Sequence, residues 1–285
     1  DMGYAALPMD VGYARFRAGS ARWSAQQPSR WIEKLSATLY HNRVDHWMDD
    51  ATRSELLMNM RMDMPGWTRT SGATLESSHR PAHNWQLLTR FEAFRSHHFA
   101  DMTMRPDGSS EMYLVTWPDV QTSSAGAWIS LQHQRGPFKY HGSFRQDYAS
   151  THAFDEQGIQ QHRLSDPSAP DKRNDPLTGG SIGVDWQVNE WMETGLSYAY
   201  AMRAPTTTEA YGYYLYVASD GFLYSGNPRI NREQSHQWEW RSSIRMNAAR
   251  FDLSVYHSQL AGYIYGQIDD SGVAIPFANG WKHYT

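Results

Sequence analysis

The stretch NWQLLTRFEAFR, residues 84–95, alternates apolar and polar side chains along the chain. Trp85 and Phe91 fall on one side of an extended chain, and Arg90 and Glu92 fall on the other. This period of two is that of a β-strand, in which successive side chains point to opposite faces. An amphipathic helix would instead repeat its apolar positions every three or four residues. The stretch therefore predicts a strand whose two faces meet different surroundings.

The same alternation recurs along most of the chain, and we predict about ten strands. They lie within residues 31–43, 84–95, 124–132, 138–145, 181–188, 192–200, 237–246 and 251–256, with weaker segments near 11–22 and 66–77. Charged residues occupy one face of most of these strands, and aromatic residues recur on the other. Each strand is therefore predicted to separate a wet surface from an apolar one.

The connections between the strands form a second pattern, because short and long ones alternate. Short turns are predicted near residues 26–30, 79–83, 134–137, 189–190 and 247–249, and long polar stretches near 44–65, 96–121, 149–178, 203–233 and from 261 onward. An outer-membrane barrel has short periplasmic turns and long extracellular loops. We therefore predict an all-β fold, an antiparallel up-and-down transmembrane β-barrel. A soluble sandwich or a propeller is the alternative, although no blade-length repeat is visible.

The amino-acid composition excludes several classes of protein. The chain has 285 residues, a formal net charge of −4 and no cysteine. Without cysteine it forms neither a disulfide framework nor a thiolate metal site. The acidic balance argues against a nucleic-acid-binding protein, which needs concentrated Lys and Arg. No apolar run reaches the roughly 18–20 residues of a membrane-spanning helix, whereas 12 Trp and 17 Tyr suit the aromatic girdles of a membrane barrel.

A segment in the last third of the chain carries a recognisable order of residues. Arg203-Ala204-Pro205-Thr206 is followed by Glu209, Gly226-Asn227-Pro228, Glu233 and Glu239. This order resembles TonB-dependent outer-membrane receptors, in which a strand ends in Arg-Ala-Pro-Ser/Thr-x-x-Glu and a long extracellular loop follows. We expect Glu209, Glu233 and Glu239 to fix that loop by hydrogen bonds and to line the lumen.

Two segments in the first half of the chain narrow the resemblance. They are YAALPMD at residues 4–10 and YHNRVDHWMDD at residues 40–50. Both are similar to the copper-receptor branch of the family, which has a Tyr-Tyr-Asn-x-Val-Asp-His-x-Met-Asp segment followed by a Met-rich stretch. The resemblance implies an integral outer-membrane receptor that imports copper, or a copper-bearing ligand, and not an enzyme.

The resemblance also implies what surrounds the chain. Barrels of this family have 22 strands around a plug, so residues 1–285 are expected to form one partial barrel domain without the plug. The implied partners are a copper ion or metal chelate, membrane lipid and lipopolysaccharide, and a TonB-type energy-transducing protein that acts through the missing plug. No nucleic acid and no resident cofactor are expected, because copper is the transported ligand.

Methionine is concentrated near the start of the sequence, where residues 1–112 hold ten of the 13 methionines. His46 and Met48 are two positions apart, as are Met102 and Met104, so in a strand each pair shares a face about 6.5–7 Å apart. Thioether and imidazole groups suit copper, and thioether favours Cu(I). We therefore predict metal ligation by these four residues, in extracellular loops or the strand ends beside them.

Other methionines and histidines of this region receive a plainer interpretation. Met58, Met60, Met62 and Met64 also recur at every second position. Because methionine is a flexible apolar filler, this row is expected to face lipid or to pack beneath loops. His41, His97 and His98 are expected to be solvated loop residues.

Alternative functions remain open at this point. A ferric-siderophore receptor would use Trp47, Trp67, Tyr113 or Trp117 to contact an organic chelate and would not bind bare copper. A non-specific porin would lack the plug, and a soluble carbohydrate-binding β-protein would need no detergent. The acid pairs Asp49-Asp50 and Asp269-Asp270 are adjacent rather than opposed across a cleft, as glycoside hydrolysis requires. No nucleophile-elbow, P-loop or zinc-protease motif is present, so no enzyme is expected.

Overall fold

The computed structural model describes residues 9–53, 60–217, 219–269 and 278–285. Its main feature is a ten-stranded antiparallel sheet. The strands are β1 (Asp10–Ser29), β2 (Ile32–Asp49), β3 (Met60–His79), β4 (Trp85–Pro106), β5 (Met112–Arg135), β6 (Phe138–Ala153), β7 (Lys172–Asn189), β8 (Met192–Arg203), β11 (Glu233–Arg245) and β12 (Arg250–Ala261), in that order across the sheet. The predicted meander of ten strands is confirmed.

The long connections hold smaller elements that the alternation does not predict. Helix α1 (Glu156–Arg163) lies between β6 and β7, and helix α2 (Thr207–Tyr211), β9 (Leu215–Val217) and β10 (Phe222–Ser225) lie between β8 and β11. Strands β13 (Gly266–Asp269) and β14 (Trp281–Tyr284) follow β12. The four short strands form a separate sheet in the order β13-β14-β10-β9. In the described ranges, neither helix is long and apolar enough to cross a membrane.

Several strands are longer than predicted, and two predicted long loops are wrong for that reason. The connection between β4 and β5 spans residues 107–111, whereas residues 96–121 were predicted. The connection between β2 and β3 spans residues 50–59, whereas residues 44–65 were predicted. Polar and apolar residues need to alternate only where the two faces of a strand meet different solvents. Hydrogen bonding between strands does not require this alternation, so the strands continue beyond the segments in which it is visible. His41, His97 and His98 consequently lie in strands β2 and β4 rather than in loops.

The two ends of the main sheet differ in their connections. At the end named here the short-turn end, the turns span residues 30–31, 80–84, 136–137, 190–191 and 246–249. At the opposite, long-loop end, the connections from β6 to β7 and from β8 to β11 span residues 154–171 and 204–232. The predicted asymmetry of connection lengths is present, although the loops after β2 and β4 are shorter than expected.

The two faces of the main sheet differ in chemistry. The apolar face carries the exposed side chains of Leu39, Leu75, Phe91, Ile129, Phe144 and Ile182. The polar face carries Ser36, Glu76, Arg90, Arg145, Asp185 and Arg241. On the polar face, Arg90 donates hydrogen bonds to Glu76, and Arg241 donates to Asp185. This division is the one that the alternation predicts.

Buried apolar side chains gather at the long-loop end. Val120 of β5 packs with Ile159 of α1 and Tyr211 of α2. Gln161 fastens α1 to β5, because its side chain accepts a hydrogen bond from the Val115 N–H and donates one to the Val115 carbonyl, at 2.9 and 2.8 Å. Val120 is on the polar face of the sheet. The long loops therefore fold onto the polar face.

Candidate metal-binding site

Both predicted ligands of strand β2 belong to the polar face. His46 and Met48 share the alternation of Ser36, and their register partners on β3 are Gly66 and Met64. Both side chains are half-buried. An imidazole and a thioether two positions apart on one face can converge on a single soft ion.

Gly66 shapes the surroundings of the His46 ring. A Cβ atom built at Gly66 would stand 2.8 Å from Cε1 and 3.2 Å from Nε2 of His46, and 3.2 Å from the Cβ of Ala100. No real Cβ tolerates the first of these distances, so the imidazole occupies space that only a glycine leaves free. The small residues on β3 and β4 therefore allow the ring to lie across the polar face.

Four methionines form a buried group, here the methionine cluster: Met60, Met62, Met102 and Met104. Their exposed fractions are between 2% and 5%. Met62 and Met104 are direct register partners across β3 and β4. The structure therefore joins the two predicted ligands of β4 with two residues of the row that was expected to pack as filler. Met58, the first member of that row, lies outside the described residues, as do residues 4–8 and Asp270.

Met64 links the methionine cluster to the predicted ligands of β2. It is the register partner of Met48, and its partly buried side chain packs against the cluster together with Met9. His46, Met48, Met64 and the cluster consequently form a continuous region of imidazole and thioether groups at the long-loop end. We refer to this region as the sulfur-rich region.

Carboxylates near the sulfur-rich region are already engaged. The buried Asp50 accepts a hydrogen bond from the Met62 N–H at 3.1 Å. Asp63 accepts one from Arg105 at 2.5 Å, and Asp10 accepts one from Arg53 at 2.7 Å. In the part of the chain that the structure describes, no three His, Asp or Glu side chains are grouped as metal ligands. The donors that the region offers are therefore mainly thioethers.

Arg203 joins the two ends of the loop between β8 and β11. Its guanidinium donates to Glu209 at 2.8 and 3.1 Å and to Glu233 at 2.5 Å. Thr206 and Glu209 form a capping box at the start of α2, which satisfies backbone N–H groups that the helix leaves free. Glu233 also accepts a hydrogen bond from the Ile264 N–H at 2.7 Å. The residues that carry the family resemblance thus hold the loop in place.

The charge state of Glu209 follows from these bonds. Burial raises the pKa of the Glu209 carboxyl, but hydrogen bonds from Arg203 and the Thr206 N–H outweigh burial, so its pKa is below the usual range. Glu239 accepts a hydrogen bond from Ser254 at 2.8 Å on the polar face. Glu209 and Glu233 therefore hold the loop by hydrogen bonds, as predicted, whereas Glu239 bonds a residue of β12 and does not fix the loop.

The four aromatic residues considered for an organic chelate do not share one face. Trp47 and Trp67 belong to the apolar face, where Trp47 packs edge-on against Tyr13, with ring centroids 6.2 Å apart. Tyr113 donates a hydrogen bond to Asp101 at 3.2 Å. Trp117 packs edge-on against His98 of the polar face, with ring centroids 5.9 Å apart. Trp47 and Trp67 are consequently on the side of the sheet opposite His46.

The sequence alternation does not predict that Met64 packs against the methionine cluster or that Gly66 leaves space for the His46 ring. The register between neighbouring strands would have predicted both contacts. The turn between β3 and β4 fixes which residues face each other, and counting outward from it brings Met62 opposite Met104 and Gly66 opposite Ala100. That count requires the strands to continue beyond the alternating region, which the sequence pattern does not show.

Comparison with known protein families and structures gives one family match. A family model described as the β-barrel of TonB-dependent receptor-like proteins matches residues 4–280. No curated protein sequence matches the chain.

Several solved structures share the fold. The copper transporter OprC superposes with a TM-score of 0.74 at 20% identity, covering 92% of this chain and 41% of that one. A double mutant of the hemophore receptor HasR of Serratia marcescens, in complex with its hemophore HasA and heme, gives 0.65 at 17% identity and covers 96% and 44%. The FrpB iron transporter of Neisseria meningitidis gives 0.60 at 13% identity and covers 94% and 39%. The chain thus spans less than half the length of these proteins.

Proposed function

Because the chain belongs to the TonB-dependent receptor-like β-barrel family, we propose that it is part of the wall of an outer-membrane receptor that imports copper or a copper-bearing ligand. In this role the apolar face contacts the hydrocarbon of the membrane and the polar face lines the lumen. The long-loop end is extracellular and the short-turn end is periplasmic.

The sulfur-rich region is the observation that carries the copper proposal. His46 and Met48 lie on the polar face, and Met64 joins them to the methionine cluster. Thioethers are soft ligands that select Cu(I) over hard cations, and imidazole also suits copper. A copper ion that enters from the long-loop end therefore meets thioethers before it reaches the centre of the lumen. The fold similarity to a copper transporter supports this proposal at the level of architecture.

A ferric-siderophore receptor is the second candidate. Trp117 of β5 packs against His98 of the polar face and supplies an aromatic surface for an organic chelate. The other three expected aromatic residues, Trp47, Trp67 and Tyr113, lie on the opposite face, so the aromatic lining is thinner than this candidate requires. We therefore rank it below copper.

Active import further requires parts that these residues do not supply. The family resemblance implies a plug inside the barrel and a TonB-type energy-transducing protein in the periplasm. The proposed task of this segment is to capture the ion and to form the lumen wall. Movement of a plug and its coupling to energy belong to the remainder of a receptor of this family.

Copper titration of the full-length protein tests the proposal. Competition with a chromophoric Cu(I) chelator under anaerobic, reducing conditions measures the affinity of the wild type and of His46→Ala and Met48→Ala. We expect each variant to bind Cu(I) at least about tenfold more weakly, a loss of about 1.4 kcal/mol. Met246→Ala and His257→Ala are matched controls, because both residues are exposed and lie away from the sulfur-rich region.

The outcomes separate the two candidates. Unchanged affinity in both variants would remove the ligand assignment and leave the family membership intact. Binding of a ferric chelate, without any binding of bare copper, would establish the second candidate in place of the first.

A further inference from the structure

A half-buried histidine on the polar face lies one row inward from the predicted copper ligands of β2. His98 of β4 shares the alternation of Ala100, and Ala100 is the register partner of Gly66, over which the His46 ring lies. Two positions along a strand are about 6.5–7 Å apart. The step from Ala100 to His98 leads toward the short-turn end, because β4 begins there at Trp85. His98 therefore comes after His46 on the way from the long-loop end into the lumen.

A hydroxyl group fixes the orientation of the His98 ring. The Nε2 atom of His98 shares a hydrogen bond with the Ser96 hydroxyl, which also accepts one from Thr70 at 3.3 Å. Among the residues that the structure describes, Nδ1 of His98 has no hydrogen-bond partner. Histidines that bind metals commonly donate one ring N–H to a neighbour and bind the ion through the other nitrogen. The contacts of His98 match this pattern and leave Nδ1 for an ion.

A β-bulge in β5 lies directly opposite His98. The register places two residues of β5, Pro118 and Asp119, opposite the single residue of β4 that follows His98. Asp119 has a φ of 50°, in the left-handed region that residues other than glycine seldom adopt. Bulges and backbone conformations of this kind gather beside functional sites, where they redirect a side chain. The irregular backbone of β5 therefore marks the wall that faces His98 as a candidate site.

The bulge is held from both faces of the sheet. On the apolar face, His97 Nε2 lies 2.9 Å from a carboxylate oxygen of Asp119. On the polar face, the Asp155 N–H, just before α1, donates to the Pro118 carbonyl at 3.1 Å. A Cβ atom at Gly158 would stand 2.4 Å from that of Pro118, so α1 packs directly on the bulge. These contacts fix the strand that the imidazole faces.

The surroundings of His98 suit a soft ion that is held only briefly. Its register partners on the two neighbouring strands are Thr68 and Val120, which carry no charge. Imidazole suits copper, whereas hard cations prefer oxygen ligands such as carboxylates. A position along a conduction path must bind its ion well enough to receive it and weakly enough to release it. One imidazole, without the thioethers of the sulfur-rich region, meets both conditions.

We propose that His98 is a copper ligand of the lumen wall, which receives the ion from the sulfur-rich region and passes it inward. This role rests on the proposed function, and it adds a second position inside the barrel. In the exchange, a bond forms between copper and Nδ1 of His98 as the bond between copper and His46 breaks. The oxidation state of copper does not change.

Copper uptake by cells that carry the full-length protein tests this role. The initial rate of copper accumulation, corrected for cells without the protein, is compared for the wild type, His98→Gln and His98→Met. Glutamine can keep a hydrogen bond to Ser96 but offers no imidazole, whereas the thioether of methionine is itself a copper ligand. Competition with a Cu(I) chelator measures the affinity of the same purified proteins.

His236→Gln is the matched control. His236 is also a half-buried histidine of a strand, and its Nδ1 atom shares a hydrogen bond of 2.7 Å with the Tyr198 hydroxyl. It belongs to the apolar face, away from the lumen. Its substitution should leave copper uptake within about twofold of the wild-type rate. A loss in this control equal to that in His98→Gln would count against a specific role of His98.

We expect His98→Gln to import copper at least about tenfold more slowly than the wild type. Its Cu(I) affinity should stay within about twofold of the wild-type value, because capture precedes His98. The retained affinity also shows that the variant is folded. His98→Met should import copper within about threefold of the wild-type rate, since a copper ligand remains at this position.

Three results would overturn the role of His98. One is wild-type uptake in His98→Gln. Another is equally slow uptake in His98→Gln and His98→Met, which would show that the ring serves packing alone. The last is a loss of Cu(I) affinity in His98→Gln as large as that in His46→Ala, which would make His98 part of the capture site and not a later position.

The wild type keeps this role distinguishable from the proposed function. If the wild type neither binds nor imports copper, the proposed function is wrong and the role of His98 fails with it. If the wild type and both His98 variants import copper at the same rate, the proposed function stands and only the role of His98 is wrong.

Discussion

Met62 and Met104 face each other directly across β3 and β4, although 42 positions separate them in the sequence. Their exposed fractions are only 3% and 2%. They therefore contribute to packing as well as offering sulfur to an ion, and substitutions can separate these two contributions.

The double substitution Met62→Leu/Met104→Leu should remove the sulfur and keep the packing. Leucine and methionine have similar volumes, so we expect the free energy of unfolding to fall by less than about 1.5 kcal/mol at each position. Met62→Ala/Met104→Ala should cost about 2–5 kcal/mol at each position, because each substitution leaves a cavity. Denaturant unfolding in detergent measures both, and a Cu(I) titration of the leucine variant measures the contribution of the thioethers. Unchanged copper stoichiometry in the leucine variant would show that the cluster is only a core.

Gly66→Ala should impair copper binding without altering any ligand. The new Cβ would displace the His46 ring, which lies within 2.8 Å of its position. We expect a loss of Cu(I) affinity close to that of His46→Ala, measured by the same chelator competition. Gly19→Ala is the matched control, because a Cβ at Gly19 has no neighbour within 4 Å. Equal affinity in the two glycine variants would mean that His46 is not a ligand in this orientation.

Arg203→Lys should loosen the loop between β8 and β11. A lysine cannot donate to Glu209 and Glu233 in the forked geometry of a guanidinium, so we expect a loss of about 1–3 kcal/mol in loop stability. Faster limited proteolysis within residues 204–232 measures it. Arg229→Gln, which removes an exposed pair with Asp166, should have an effect below about 1 kcal/mol. Cleavage at the same rate in both variants would contradict the anchoring role of Arg203.

The packing of α1 should weaken as the pH falls. Burial lowers the pKa of His162, while its hydrogen bond to the Tyr211 carbonyl and the nearby His283 make smaller contributions. Its contribution to stability is therefore complete above the ordinary histidine pKa of about 6.5 and is lost below it, because the unfolded loop takes up the proton more readily.

Limited proteolysis of residues 154–171 at pH 7.5 and pH 5.5 checks this. The wild type should be cleaved faster at the lower pH, and His162→Gln should show a smaller ratio between the two rates. His283→Gln, as a comparison, should keep most of the wild-type ratio. A ratio that is the same in wild type and His162→Gln would assign the pH dependence to another group.

Sequence alone predicts the ten main strands because each one separates two solvents, and alternation records that separation in every second residue. It does not predict where the strands end, since pairing continues beyond the alternating segments, past Arg43 to Asp49 in β2 and past Arg95 to Met104 in β4. The alternation also does not predict helix α2, although Thr206 and Glu209 form the capping box at its start. The helix has only five residues and no repeating apolar face, so it produces no periodic pattern in the sequence.

The sequence predicts which ligand types the candidate site contains, but it does not predict which residues from different strands meet there. The spacing of His46 and Met48 is local, and it places both on one face whatever else the chain does. The meeting of Met62 with Met104, and of His46 with Gly66, depends on the register between strands. The turn at residues 80–84 sets the register of β3 against β4, and the burial of whole strand faces also constrains register. Neither is a property of the motif itself.

Arg203 holds Glu209 at the beginning of one outer loop and Glu233 at its end, and Glu233 in turn holds the backbone of Ile264 in the next connection. Two connections at the long-loop end are thereby tied to one guanidinium through Glu233. Moving one connection away from the other must break either the bond from Arg203 to Glu233 or the bond from the Ile264 N–H to Glu233.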